Sequence, residues 1–237
     1  MDLDGTVRPG GGTTGTPLLT QLASLRRNGV KVVLVTGRAL RDLQALVDVR
    51  LFDALVVENG AILVVAGVQK VLAPPGWPAE RRKLLRFFSS TGHEEVIVAL
   101  RRENVAEARA IVGYRARLEF NKDAMMILPR GVSKGSGLLA ALAALGVPAR
   151  ETMCIGDGEN DVPLLRAGGV RVAVRNAVDA LKREADYVTA EEDGRGVSEA
   201  ISRYCGAAGW PGAPRPGAGR QDGVVRPPSS PPQARDN

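Results

Sequence analysis

Residues 156–165 are GDGENDVPLL, and they directly follow the apolar stretch TMCI of residues 152–155. The apolar stretch predicts a buried strand, and Pro163 suits the first turn of a helix that follows it. Asp157 and Asp161 therefore flank a glycine-containing loop at the end of a strand. Carboxylate oxygens are hard ligands that suit Mg²⁺, which takes one or two carboxylates together with water and substrate phosphate. This stretch predicts a magnesium site at a strand-to-helix turn.

A second pair of carboxylates lies at the start of the sequence, in the stretch DLDGT of residues 2–6. Side chains alternate along an extended segment, so Asp2 and Asp4 lie on the same side, and Gly5 ends the strand. Parallel α/β folds place their sites at the carboxyl ends of strands. The pair predicts a functional site, although an acidic terminus without a function could have the same sequence.

Two further turns are candidates for binding phosphate oxygens. The stretch TGR, residues 36–38, follows the β-branched apolar run VKVVLV of residues 30–35. A hydroxyl and a backbone N–H at such a turn can hold a phosphate oxygen, or can simply cap the next helix. Lys134 lies in the first turn of an apolar helix with Ser133 as its predicted N-cap. A lysine there opposes the helix dipole, and a bound anion would remove the conflict.

The wider pattern predicts an α/β protein with an inserted domain. Strand and helix signals alternate over residues 16–58 and 131–184, which predicts a parallel sheet covered by helices. Residues 61–128 instead have a ββαβαββ pattern, which is typical of a small α+β layer with an antiparallel sheet. We therefore expect a core formed by residues 1–60 and 129–205, interrupted by an insert at 61–128.

Composition excludes several classes of function. Of the 237 residues, 44% are hydrophobic and 24% are charged, which is ordinary for a globular protein. A single histidine, His93, and two cysteines, Cys154 and Cys205, argue against histidine catalysis, disulfide frameworks and zinc sites. The longest nearly unbroken apolar run, residues 138–149, is shorter than the roughly 20 residues that span a bilayer, and no secretion leader is recognised. We expect a cytoplasmic protein whose chemistry uses carboxylates.

The net charge of +6 is compatible with a nucleic-acid binder, but aromatic residues make up only 4% of the chain. Little is therefore available to stack on bases. The alternatives are a solvated, arginine-rich surface or a positive potential that attracts small anions. Residues 206–237 are rich in glycine and proline and show neither strand nor helix periodicity, so we expect a disordered tail.

Taken in order, DLDGT, VLVTGR, the helix start at Lys134 and GDGENDVPLL resemble the four motifs of the haloacid dehalogenase-like phosphohydrolases. The resemblance covers residues 1 to about 201, and MILPRGVSKGSGL and VAVRNAVDALKREADYV are similar to the Cof-type branch. The small insert is most similar to that of archaeal-type phosphoglycolate phosphatases and of the sucrose-phosphate phosphatase-like group. The resemblance implies a Rossmann-like, three-layer core with a parallel sheet, and a small α+β cap between the second and third motifs.

The resemblance also implies catalytic and metal-binding roles. Asp2 would be the nucleophile and would form an aspartyl-phosphate. Asp4 would act as the general acid and then as the general base. A Mg²⁺ ion would be held by the carboxylates of Asp2, Asp157 and Asp161 and by the backbone carbonyl of Asp4. In this superfamily an aspartate at the position of Asp4 goes with phosphatases and phosphomutases.

Substrate-binding roles are implied for the two turns and for the loop. Thr36, Gly37 and Lys134 would bind phosphoryl oxygens, and Asn160 would position a phosphate or a metal ligand. The cap would close over the site and contact the rest of the substrate. Its polar candidates are Arg101, Arg102, Lys122 and Asp123.

The start of the sequence departs from the family pattern. The family has a run of apolar residues before the first aspartate, which forms the central strand, whereas only Met1 precedes Asp2 here. A nucleophile on a chain end would fray, and the core would lose a buried strand. Two accounts stay open: a start codon placed too late, which the intact later motifs favour, or a degraded and weakly folded relative.

The expected function is a Mg²⁺-dependent phosphatase of carbohydrate metabolism that acts on phosphoglycolate or a sugar phosphate. We expect no nucleic-acid or membrane partner, and the oligomeric state stays open between monomer and homodimer. One alternative is a sugar phosphomutase, which would release little free phosphate. Another is a non-catalytic protein that binds phosphorylated ligands as a result of N-terminal loss. A basic nucleic-acid module is the third.

Overall fold

The computed structural model describes residues 1–9, 12–121 and 124–205. The expected tail at 206–237 and the cap candidates Lys122 and Asp123 lie outside the described residues. The strands are β1 (Val33–Val35), β2 (Ala54–Val57), β3 (Ile62–Val65), β4 (Val68–Val71), β5 (Val98–Arg101), β6 (Ala116–Asn121), β7 (Ala124–Pro129), β8 (Met153–Gly156), β9 (Val170–Ala173) and β10 (Tyr187–Val188). The α-helices are α1 (Thr16–Arg27), α2 (Leu40–Gln44), α3 (Trp77–Leu84), α4 (Val105–Ile111), α5 (Lys134–Leu145), α6 (Val162–Ala167), α7 (Asp179–Lys182) and α8 (Asp193–Cys205). Within these ranges, no helix is both long and apolar enough to cross a membrane.

Two parallel ladders form the core, and the first residues of the chain join them. β1 pairs with β2, β8 pairs with β9, and β9 pairs with β10, all in parallel. The terminal amine of Met1 donates to the Val33 carbonyl, and the Val35 N–H donates to the Met1 carbonyl. On the other side, the Asp2 N–H donates to the Ile155 carbonyl. Met1 and Asp2 therefore take the place of a central strand between β1 and β8.

The strands of this core have the sequence that parallel pairing requires. Every residue of β1 and β2 is buried, as expected of strands covered on both faces. Helix α5 packs against β1, β2 and β3, while α6 packs against β8 and β9. The expected parallel α/β core is confirmed, and α8 completes it by packing against α1. No element was predicted for the residues of α8.

The hairpin of β3 and β4 pairs with the core sheet, whereas the sequence pattern predicts it in the insert. β3 pairs antiparallel with β2, and β4 pairs antiparallel with β3. The cause is a tight turn directly after β2, where Glu58, Asn59 and Gly60 have φ values of 51°, 53° and 98°. This left-handed turn reverses the chain, and β3 therefore returns along the open edge of β2.

A separate antiparallel sheet follows, with the strand order β5-β7-β6, as expected for the insert. We propose that the inserted domain begins after β4 rather than at residue 61. The other limits of the predicted division are kept in this proposal, with the insert ending at residue 128 and the second core segment spanning residues 129–205. Glu58 ties the insert to the core, since its buried carboxylate accepts from the N–H groups of Glu95, Val96 and Ile97 at 2.7, 2.8 and 3.0 Å.

A groove lies beside Met1 between the amino-terminal ends of β1 and β8. Its volume is about 360 Å³, and apolar side chains form much of its wall, among them Val33, Leu138, Leu142 and Met153. Among the described residues, the pairing between the two ladders extends no further into this groove than Met1. The groove therefore continues the line of Met1 between the two ladders.

We expect an apolar extended segment placed directly before Met1 to raise the melting temperature. Such a segment can continue the pairing with β1 and β8, and each large apolar side chain that it buries contributes about 1.5–3 kcal/mol before the cost of ordering the chain. Thermal unfolding of the chain with an added five-residue valine and isoleucine segment would measure the effect. A control extension of equal length with glycine and serine should leave the melting temperature unchanged, and equal effects of both extensions would contradict the prediction.

Candidate active site

Asp2, Asp157 and Asp161 form a buried cluster at the carboxyl ends of the central strands. One carboxylate oxygen from each lies within 4.8 Å of the others. Asp2 follows the Met1 pairing position, Asp157 directly follows β8, and Asp161 comes immediately before α6. The three residues are only 5%, 2% and 0% exposed. The structure thus brings the first and fourth motifs together.

Lys134 supplies positive charge to this cluster. Its Nζ donates to Asp2 Oδ1 at 2.8 Å and to Asp161 Oδ1 at 2.6 Å, and the side chain is 1% exposed. Burial lowers the pKa of Lys134, but the attraction of Asp161 and Asp2 outweighs burial and raises that pKa above its usual value. Burial and the repulsion of Asp161 raise the pKa of Asp2 to about 8, against the attraction of Lys134. Two of the three crowded carboxylates therefore share the Lys134 ammonium.

Helix α5 holds Lys134 in place through its cap and its glycines. Ser133 is the N-cap, as predicted: its Oγ accepts from the Ser136 N–H at 3.1 Å, while Ser136 Oγ accepts from the Ser133 N–H at 2.9 Å. A Cβ at Gly135 would lie 2.3 Å from the Pro163 carbonyl oxygen, and one at Gly137 would lie 2.6 Å from the Cα of a core glycine. The glycines after the lysine let α5 approach α6 and the core sheet closely.

The loop of residues 156–161, which the sequence predicts to bind a metal and which is called the metal loop below, is itself held by hydrogen bonds. Asp161 Oδ2 accepts from the N–H groups of Asp157 and Gly158 at 3.0 and 2.9 Å. Thr6 Oγ1 donates to Asp157 Oδ1 at 2.9 Å. Gly5 has a φ of 83°, and a Cβ there would lie 2.3 Å from Asp157 Oδ2, so only glycine fits between the two motifs. These contacts orient the carboxylates toward a shared point.

Asp4 lies outside the carboxylate cluster found among the described residues. Its side chain accepts from Arg8 Nη1 at 3.0 Å and from Arg38 Nε and Nη2 at 2.6 and 3.0 Å. The hydrogen bond to Asp4 raises the pKa of Arg38. The proposed metal contact of Asp4 uses its backbone carbonyl, and that contact stays a prediction.

The turn after β1 is linked to the metal loop through Asn59. Thr36 is 1% exposed, and its Oγ1 accepts from the Arg38 N–H at 3.2 Å within the turn. Thr36 does not cap the next helix, because the N-cap of α2 is Ala39. The Asn59 side chain lies against Gly37, and its Oδ1 accepts from Asn160 Nδ2 at 3.1 Å. The second and fourth motifs therefore meet, and the roles of Thr36, Gly37 and Asn160 toward phosphate stay predictions.

Three residues of this site had no role in the sequence analysis. Thr6 and Arg38 lie inside motifs that were recognised, and their hydroxyl and guanidinium groups were the available signal. Asn59 lies two residues after β2, so its position at the carboxyl end of a parallel strand could have identified it. Of the cap candidates with described side chains, Arg101 is exposed.

Comparisons with known proteins agree with this geometry. The family model of the haloacid dehalogenase-like hydrolases matches residues 1–105 and 78–201. A phosphoglycolate phosphatase from Methanopyrus kandleri is 31% identical over 213 residues, which cover 83% of this chain and 92% of that protein. A phosphoglycolate phosphatase from Methanothermobacter thermautotrophicus is 30% identical over 217 residues, which cover 87% of this chain and 97% of that protein.

The fold is also found among solved structures. The crystal structure of Thermoplasma acidophilum 0175 matches with a TM-score of 0.71 at 19% identity, and the match covers 85% of this chain and 95% of that one. This likeness confirms the Rossmann-like core with an inserted cap. The family model matches most of this chain, and the match to the 31% identical relative covers 92% of that relative. The chain therefore belongs to the haloacid dehalogenase-like hydrolases.

Proposed function

We propose that this hydrolase is a Mg²⁺-dependent phosphatase that works through an aspartyl-phosphate on Asp2. The observation that carries the proposal is the buried cluster of Asp2, Asp157 and Asp161, two of whose carboxylates bind Lys134. The coarser part follows from the family: the chain is a phosphatase that acts on a small phosphorylated substrate. Its relatives at 31% and 30% identity are named phosphoglycolate phosphatases, and phosphoglycolate is therefore one proposed substrate beside a sugar phosphate.

The donor set of the cluster fits a Mg²⁺ ion. Three carboxylates are hard oxygen ligands, and their crowding in a buried site favours a bound cation. Asp2, Asp157 and Asp161 would hold the ion, with the Asp4 carbonyl as a further proposed ligand. When bound, the ion would reduce the repulsion between the anionic nucleophile and the anionic phosphate.

The chain's own residues divide the chemistry between them. Asp2 attacks phosphorus in line, so that the bond from phosphorus to the alcohol oxygen breaks and the phosphoryl group is transferred to the Asp2 carboxylate. Lys134 and the Thr36 hydroxyl stabilise the charge on the phosphoryl oxygens. Asp4 donates a proton to the leaving oxygen and later takes one from the water that hydrolyses the aspartyl-phosphate.

Asp4 must change partners to transfer that proton. Arg8 and Arg38 both bind its carboxylate here. We propose that the leaving oxygen of the substrate replaces one of these two contacts. Arg38 is the more accessible partner, because its side chain is 40% exposed and that of Arg8 only 9%. Arg38 then remains beside the site, where its charge attracts the anionic substrate.

We expect the purified protein to release inorganic phosphate from phosphorylated metabolites only when a divalent cation is present. Phosphate would be measured over a panel of phosphoglycolate, sugar phosphates and polyol phosphates, with Mg²⁺ and after EDTA treatment. Adding Mg²⁺ back should restore activity. Conversion of one sugar phosphate to its isomer with little free phosphate would replace the proposal by a phosphomutase. Ligand-induced stabilisation without turnover would replace it by a binding protein.

A further inference from the structure

One face of strand β6 is directed at the metal loop. Arg117, Glu119 and Asn121 alternate along β6 and therefore share a face. β6 lies against the short turn at 159–161. Asn121 Oδ1 and Asn160 Oδ1 each lie 2.8 Å from the position that a Cβ on Gly158 would take. The inserted domain thus meets the active-site loop at a glycine.

Three buried oxygen atoms in this region have no hydrogen-bond donor in the part of the chain that is described. They are Glu119 Oε1, Asn121 Oδ1 and Asn160 Oδ1. Glu119 and Asn160 are only 7% and 3% exposed. Buried polar atoms in folded proteins nearly always have a partner, so unpaired oxygens on one face of β6 and on the turn that β6 packs against indicate a group that is supplied from outside the chain.

All three atoms are acceptors. Glu119 Oε2 already accepts from Arg117 Nη2 at 2.6 Å, which leaves the second oxygen free. Asn160 Nδ2 donates to Asn59 Oδ1, and Asn59 Nδ2 in turn donates to Met126 Sδ, a sulfur that can only accept. This chain of contacts fixes which end of the Asn160 amide is free. The bound group must therefore bring donors.

The charges around Glu119 also favour a ligand that donates hydrogen bonds over an anionic one. Glu119 is close enough to the cluster that Lys134 and Asp161 affect its pKa, although burial is the largest cause and raises it. Arg117 is the nearest cation, and two of its nitrogens donate to the Val132 carbonyl while one also binds Glu119. A carboxylate on the substrate would find acceptors and negative charge here, whereas hydroxyl groups would find three partners.

Building on the proposed function, we propose that Glu119, Asn121 and Asn160 bind the hydroxyl groups of the leaving alcohol. The preferred substrate class is then the phosphate monoester of a sugar or another polyhydroxylated alcohol, rather than phosphoglycolate, whose alcohol bears a carboxylate and no further hydroxyl. Glu119 and Asn121 act as specificity-determining residues contributed by the inserted domain.

The test compares kcat/KM for a sugar phosphate, a polyol phosphate and phosphoglycolate in the wild type and two variants. Glu119→Gln keeps the shape and the acceptor for Arg117 but places an amide where a carboxylate was, and Asn121→Leu removes an acceptor at similar size. Each should lower the ratio of kcat/KM for the sugar phosphate to that for phosphoglycolate by about tenfold or more, mainly through KM. Glu107→Gln, on an exposed position of α4, is the matched control and should leave the ratio unchanged.

The outcomes separate this inference from the proposed function. Hydrolysis of p-nitrophenyl phosphate by the wild type reports the phosphatase chemistry without any hydroxyl or carboxylate on the leaving group. If no ester is hydrolysed, the proposed function itself fails. If p-nitrophenyl phosphate is hydrolysed but phosphoglycolate is the better natural substrate, or if neither variant changes the ratio, the polyhydroxyl specificity is overturned while the phosphatase remains.

Discussion

Replacing Asp2 by asparagine should reduce kcat by at least about 10⁴-fold, since the amide cannot form the covalent phosphoryl intermediate and residues that act with a nucleophile do not compensate for its loss. The variant should nevertheless fold. Lys134 keeps its contact with Asp161, and one of three mutually repelling buried carboxylates becomes neutral. Single-turnover phosphate release and the melting temperature in metal-free buffer would measure both effects.

The matched control is Asp4→Asn, which keeps the nucleophile and removes the proposed acid. Proton transfer of this kind contributes typically about 10²–10⁴. With p-nitrophenyl phosphate, whose leaving group needs no proton, we expect a burst of p-nitrophenol and a phosphorylated peptide that contains Asp2. Near wild-type turnover by Asp2→Asn, or phosphorylation at a different residue, would show that the nucleophile lies elsewhere.

The position of the site was predictable because it depends on strand order and not on side-chain packing. The Thr36 turn and Asp157 each follow an apolar strand, and Asp2 follows Met1 where the start of the chain pairs with both strands. The carboxyl ends of parallel strands meet at one edge of a sheet. Lys134 was identified from its conflict with the helix dipole. The structure places its ammonium between two of the predicted carboxylates. The chemical roles of these residues remain proposals.

Features that depend on pairing between distant segments were not predictable. The pattern of β3 and β4 suits the edge of either sheet, and only the left-handed turn at Glu58 and Asn59 decides which edge they join. Likewise, Glu119 and Asn121 become candidates for substrate binding only because β6 packs against the metal loop. No local spacing in the sequence encodes that placement, because packing between segments that are far apart in the sequence determines it.

Replacing Lys134 should also lower the stability of the folded protein strongly. In Lys134→Met, Asp2 and Asp161 lose their buried counter-ion, and removal of one partner from a buried ion pair typically costs about 3–5 kcal/mol. For a chain of this size, we expect the melting temperature of the metal-free protein to fall by roughly 10 °C. Lys70→Met, at an exposed position of β4, is the control and should have almost no effect.

Mg²⁺ provides the decisive comparison for this variant. A cation that binds the folded state raises its stability by mass action, and a cluster without its ammonium has more uncompensated negative charge to offer. The rise in melting temperature on adding Mg²⁺ should therefore be larger in Lys134→Met than in the wild type, although activity stays low because the phosphoryl oxygens have lost a partner. Differential scanning fluorimetry with and without Mg²⁺ measures both rises. If the two are equal, Lys134 and the ion do not share the charge of these carboxylates, and the metal site must be sought outside the cluster.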